Sequence, residues 1–122
     1  MNKTKTLAVF LFAVMFLAVP VYAANVRYTF QVTVSDTATL ILPASSGQSR
    51  AVIILSNNGS YIVYIGNSTV TNSSGYALQP RGTIGSTLIL TKAMGFDMES
   101  AIYGIVIAGR SCVVFVIEEF NP

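Results

Sequence analysis

The chain has 122 residues, a formal charge of +2, one cysteine and no histidine, with 52% apolar and 10% charged residues. This composition fits one greasy, weakly charged domain, and without histidine both triad-type hydrolysis and most zinc sites lose their usual member. The basic residues are too few and too scattered to release counterions from phosphates, which excludes a nucleic-acid binder, and a lone Cys112 permits no intrachain disulfide.

The opening segment, MNKTKTLAVFLFAVMFLAVPVYAA, carries Lys3 and Lys5, then an unbroken apolar run of 13 residues from Leu7 to Val19, then Pro20 and the small-residue site Val21-Tyr22-Ala23. That is the plan of a secretory signal peptide, an apolar helix removed by cleavage after Ala23. Spanning a bilayer takes about 20 residues, so retention as an anchor would have to recruit Pro20 to Ala24 as well. Lys5-Thr6 ahead of an apolar helix also loosely resembles the start of archaeal pilins, a route that Pro20 and the small-residue site oppose. Removing residues 1–23 of the 122 leaves a single domain, 24–122, of 99 residues. In it Arg27, Arg50, Arg81, Lys92 and Arg110 balance Asp36, Asp97, Glu99, Glu118 and Glu119. The expected location is secreted, cell-surface or virion, with membrane contact only through residues 1–23 if they stay attached.

After Ala24 the pattern turns to period two. NVRYTFQVTV places Val26, Tyr28, Phe30, Val32 and Val34 on one side and Arg27, Thr29, Gln31 and Thr33 on the other, a strand with one dry and one solvated face. Next come TATLIL (Thr37 to Leu42), a turn cluster from Pro43 to Gly47, and RAVIILS (Arg50 to Ser56). Asn57-Asn58-Gly59-Ser60 predicts a tight hairpin into YIVYIG (Tyr61 to Gly66). A polar loop, Asn67 to Gly75, leads to YALQPRG, where Tyr76 and Leu78 can dip into a core before Pro80-Arg81-Gly82 turns the chain. TIGSTLIL (Thr83 to Leu90) is a further strand with Gly85 a candidate bulge, and TKAMGFDMES (Thr91 to Ser100) is the one place for a helical turn. AIYGIVIA and SCVVFVIEEF, joined across Gly109-Arg110, predict a closing hairpin, with Cys112 a buried strand residue. The sum is an all-β chain: a single antiparallel β-sandwich or jelly-roll-like barrel of about seven strands, preceded by the apolar signal helix.

Several strands are apolar on both faces. In YIVYI, Tyr61, Val63 and Ile65 oppose Ile62 and Tyr64; in AVIIL, Ala51, Ile53 and Leu55 oppose Val52 and Ile54; in CVVFVI, Cys112, Val114 and Val116 oppose Val113, Phe115 and Ile117. A lone two-layer sandwich needs only one dry face per strand. The excess predicts a second surface covered by copies of the same chain, with Ile62, Tyr64, Val113, Phe115 and Ile117 as the assembly face. The first strand, free at a mature N-terminus, is a candidate for donation into a neighbour's sheet through Val26, Tyr28, Phe30, Val32 and Val34, or else the first strand of its own sandwich.

ILSNNGSYIVYIGNSTVTNSSGYALQPRGT, followed by IYGIVIAGRSCVVFVIEE, resembles small β-sandwich modules of tailed-phage structural proteins, such as head-decoration and fibre components. The resemblance covers about Val52 to Glu118 and implies a fold and a structural role, with no catalytic residues. The chain departs from such modules in its export signal and in Pro80-Arg81-Gly82 where Pro-Gly is usual.

Other chemistry is sparse. Asp97 and Glu99 lie two apart, on one side if extended, a pair that suits help in binding calcium or work as acid and base, but they offer too few oxygens for calcium and are more simply solvated loop charges. Glu118 and Glu119 point to opposite faces of the last strand and suit protection of a sheet edge. Asn58, Asn67 and Asn72 head three Asn-x-Ser/Thr sequons in turns or loops and are candidate N-glycosylation acceptors. The expected function is a non-enzymatic exported subunit, without cofactor or metal, that self-assembles into an extracellular filament, surface layer or virion shell. The alternative is a monomeric carbohydrate- or ligand-binding module that stacks its ligand on Tyr61, Tyr64, Tyr76 and Tyr103.

Overall fold

The computed structural model describes residues 26–45 and 49–121; the expected signal helix and the end of the Pro43-to-Gly47 turn lie outside them. Among the described residues eight strands form: β1 (Val26–Val34), β2 (Thr39–Leu42), β3 (Arg50–Asn57), β4 (Val63–Gly66), β5 (Tyr76–Leu78), β6 (Thr87–Thr91), β7 (Ile102–Ile105) and β8 (Cys112–Phe120). The count exceeds the expected seven by β5, whose three residues are too few to show a period in the sequence. A 3-10 turn at Lys92–Met94 is the helical turn anticipated between Thr91 and Ser100.

Two four-stranded antiparallel sheets result, the first in the order β1-β8-β3-β6 and the second in the order β2-β7-β4-β5. The pairings β1 with β8, β2 with β7, β3 with β6 and β4 with β5 describe one long antiparallel ribbon, its first four strands against its last four, rolled up on itself. Successive strands therefore alternate between sheets except at β4 and β5. Both expected hairpins are corrected by this topology: β3 and β4 lie in different sheets, as do β7 and β8. Their Asn- and Gly-rich links are corners that carry the chain across the sandwich, and none of the non-glycine residues in them has the positive φ that a tight hairpin turn would need.

Where the two inner faces meet, Val34, Ile53, Leu55, Val63, Leu78, Ile102, Val114 and Val116 are buried. The links 35–38, 58–62, 79–86 and 106–111 gather at one end of the sandwich, and 43–45, 67–75 and 92–101 at the other, beside Val26 and Phe120.

The corner after β3 is fixed by a buried amide. Asn57 Nδ2 donates to the carbonyls of Tyr61 (2.6 Å) and Leu78 (3.2 Å), and its Oδ1 accepts from the Gly59 N–H at 2.9 Å. Gly59 is thereby pressed on β8, so that a Cβ there would stand 2.5 Å from Cys112 Sγ. Cys112, buried as expected, donates its thiol to the Tyr61 carbonyl at 3.2 Å. Gly59→Ala is expected to cost about 1–3 kcal/mol by overpacking. In urea denaturation the double change Gly59→Ala, Cys112→Ala should cost less than the sum of the two singles, because removing Sγ clears the nearest clash.

Candidate functional site

Outward-facing residues of the first sheet fall into cross-strand rows. Thr29, Ile117, Ile54 and Ile89 form one row; Gln31, Phe115, Ser56 and Thr87 the next; Arg27, Glu119, Val52 and Thr91 the third. Ile117, Ile54 and Ile89 make an unbroken aliphatic line over three strands, flanked by Val52, Phe115 and Val113. Ile89 is 51% exposed. A polar margin frames it: the Arg27–Glu119 ion pair at 2.8 Å, Thr29, Gln31 and Thr33 along β1, and a Ser56–Thr87 hydroxyl pair at 3.0 Å. An apolar centre inside a polar rim is the plan of a protein–protein interface.

The second sheet carries a smaller apolar exterior of Leu40 beside Tyr103 and of Ile105, Tyr64 and Ala77 in one row, with Ile62 just ahead of β4. The expected assembly residues are thus divided between opposite outsides of the sandwich, Val113, Phe115 and Ile117 on one and Ile62 and Tyr64 on the other. Ile89 escapes the sequence reading, since the continuous apolar run Leu88-Ile89-Leu90 does not say which face turns inward.

β1 pairs along its whole length with β8 of the same chain, Val26 opposite Phe120 through Val34 opposite Cys112. Its inner row is unevenly covered. Val34 is buried and Phe30 and Val32 are partly so, whereas Tyr28 is 51% and Val26 39% exposed. The reason is length, because β2 follows after a short turn and has four residues against nine in β1. Tyr28 instead meets Phe120 edge to face at 5.9 Å.

Between the open edges of β5 and β6 lies a cavity of about 360 Å³. Ile65, Leu88, Leu90, Phe96 and Ile102 make its walls, with Tyr76, Asn67, Asp97 and Ser100 also lining it. Asp97 closes its own turn, accepting from Ser100 Oγ at 2.6 Å and from the Glu99 N–H at 3.1 Å. These bonds, the hydroxyl first, hold its carboxyl below the ordinary range. A lowered value means that the charge, and the support it gives the turn, persist at neutral and mildly acidic pH and fade only as pH drops through that value. No group of three or more potential metal-ligating side chains occurs among the described residues.

The four tyrosines do not share a surface. Tyr64 and Tyr103 lie outside the second sheet, Tyr76 faces the cavity, and Tyr61 packs on the core beneath Arg110, whose guanidinium stands 5.1 Å from the ring centroid. Asn67 and Asn72 occupy the exposed 67–75 loop, and Asn58 is half-buried in the corner after β3. Asn67 Oδ1 accepts from both the N–H (3.0 Å) and the hydroxyl (2.7 Å) of Thr69.

The acidic pair of β8 corrects an expectation. β8 is an interior strand, between β1 and β3, so Glu118 and Glu119 guard no edge. Glu119 turns outward to Arg27, and Glu118 turns inward to Arg50 Nε at 3.1 Å. Arg50 is buried and donates further to the carbonyls of Met98 (3.2 Å), Ser100 (3.3 Å) and Pro43. Nothing in the sequence marks it, because a lone arginine after a turn reads as a solvated flank. Its bonds tie β3 and β8 to Pro43 after β2 and to the 92–101 link. That link forms one wall of the cavity.

No known protein family, no characterised protein and no solved structure matches this chain.

Proposed function

We propose that the domain is a non-enzymatic structural subunit, a jelly roll by its rolled-ribbon order, exported by its N-terminal segment and assembled with copies of itself into a filament, surface layer or virion shell. One observation carries the reading: the aliphatic line Ile117–Ile54–Ile89, with Val52, Phe115 and Val113, faces outward inside a polar rim. Covering about 600 Å² of such surface per subunit at about 25 cal/mol per Å² yields about 15 kcal/mol before association costs, enough for a lasting assembly. The resemblance to phage structural modules supports the same role from the sequence. β1 offers a route for strand exchange, since it is an edge strand whose inner row is thinly covered.

The full chain, secreted from an expression host, should give large regular particles or fibres in negative stain and by sedimentation, and mass spectrometry should find Ala24 at the mature N-terminus. Ile54→Lys and Phe115→Glu place a charge at the centre of the outer face without touching the core. Each is expected to weaken assembly at least about 100-fold while the melting temperature of the single chain stays nearly unchanged. A wild-type chain that sediments at the mass of one copy at every concentration overturns the reading. That outcome would favour a ligand-binding module, which the cavity supports although Tyr76 alone of the four tyrosines reaches it.

A further inference from the structure

The 79–86 link between β5 and β6 is a braced projection. The Gln79 N–H donates to the Gly85 carbonyl at 3.0 Å, the Arg81 N–H to the Gly59 carbonyl at 3.0 Å, and both the N–H (3.2 Å) and the hydroxyl (2.6 Å) of Thr83 to the Pro80 carbonyl. Gly85, at φ 88°, makes the turn that returns the chain to β6. At the tip of this rigid turn Ile84 is 100% exposed, the most exposed of the large apolar side chains. Three residues earlier, Arg81 is exposed, and its guanidinium makes no hydrogen bond or ion pair among the described residues. An isolated surface isoleucine is ordinary. An isoleucine held out on a hydrogen-bonded turn beside an unpaired cation is a knob whose ordering cost is already met by the fold.

A matching hole exists on the same molecule. The cavity of about 360 Å³ is walled by Leu88, Leu90, Ile65 and Phe96, with Asp97 among its lining residues. It is too large for one side chain alone but suited to the tip of a turn. The one charged residue of its lining, the exposed Asp97, is opposite in sign to the exposed Arg81 of the knob. The turn belongs to one end of the sandwich, while Gly66, Asn67 and the 96–101 segment place the cavity toward the other. Ile84, fully exposed and absent from the lining, does not fill its own cavity.

We propose that the 79–86 turn of one copy docks in the open-edge cavity of the next, with Ile84 entering between β5 and β6 and Arg81 meeting Asp97. The inference rests on the self-association reading and gives it a direction. The two patches are different surfaces, so the contact is heterologous and repeats head to tail, closing into a ring or running on as a filament. The outer face of the first sheet then joins such rows sideways.

The test uses the full chain and reads the association midpoint by sedimentation, with fibre length in negative stain. Ile84→Asp and Arg81→Asp alter side chains that support nothing within the fold, and melting curves should confirm unchanged stability. Each is expected to raise the midpoint concentration at least about tenfold. Asp97→Arg should do the same, and the double exchange Arg81→Asp, Asp97→Arg should assemble better than either single change by restoring the opposite charges. Assembly at the wild-type midpoint by both Ile84→Asp and Arg81→Asp, with Ile54→Lys still dispersing the particles, overturns the head-to-tail contact while leaving self-association standing. A double exchange no better than its single changes also overturns it. A wild-type chain that never associates overturns both.

Discussion

Arg50→Met is expected to destabilise the domain by about 3–5 kcal/mol, more than any surface change, because it strands a carboxylate and three carbonyls at once. Glu118 would lose the partner that stands 3.1 Å away, and the carbonyls of Met98, Ser100 and Pro43 would lose their donor. For a domain near 100 residues this corresponds to a fall of at least about 12 °C in melting temperature. Arg50→Lys should recover little, since one ammonium cannot reach three carbonyls and a carboxylate in a planar fork. The double change Arg50→Met, Glu118→Met should be more stable than Arg50→Met alone, because the uncompensated charge is gone. A double variant no more stable than the single would show that the loss lies in packing rather than in a stranded charge. Circular dichroism melts read all three variants against the wild type.

Asn57→Asp should be nearly as damaging, at about 3 kcal/mol or more, although the side chain keeps its shape. The change replaces the Nδ2 donor with an oxygen directed at the carbonyls of Tyr61 and Leu78, 2.6 and 3.2 Å away. Only one orientation of the amide fits, with nitrogen toward two carbonyls and oxygen toward the Gly59 N–H. Asn57→Ala would leave the same three backbone groups unpaired, each worth about 1–3 kcal/mol when buried. The two variants should therefore melt at similar temperatures, well below wild type. Hydrogen exchange should show the loss first in residues 58–62, the corner that the amide fastens. Survival of that corner in either variant would mean that the Gly59–Cys112 contact alone sets it.

Strand identity was legible because it depends on near neighbours in the chain. Period two over Val26 to Val34, β-branched runs at Val52–Leu55 and Val113–Ile117, and glycine or proline between them suffice to name the strands. The rule fails where a strand is too short to have a period, as at Tyr76–Leu78. It also fails where turn chemistry is shared by hairpins and corners. Asn57-Asn58-Gly59-Ser60 has hairpin composition, yet Asn57 spends its amide on the carbonyl of Tyr61 in the corner and on that of Leu78 at the end of β5. The doubly apolar strands were legible in the same local way. Their partners were not, so Val113, Phe115 and Ile117 emerged apart from Ile62 and Tyr64.

By itself, the sequence determined that this is an all-β chain with more apolar strand faces than a two-layer core can use, since alternation and composition are properties of contiguous residues. Tertiary structure alone decided which of those faces turn outward together, that Arg50 is buried against Glu118, and that a cavity opens between β5 and β6. Each of these needs residues brought together from distant parts of the chain, such as Arg50 with Glu118 or Ile65 with Leu90. Pairing over such separations is set by the register of whole strands and by the rolling of the ribbon, neither of which any short stretch encodes.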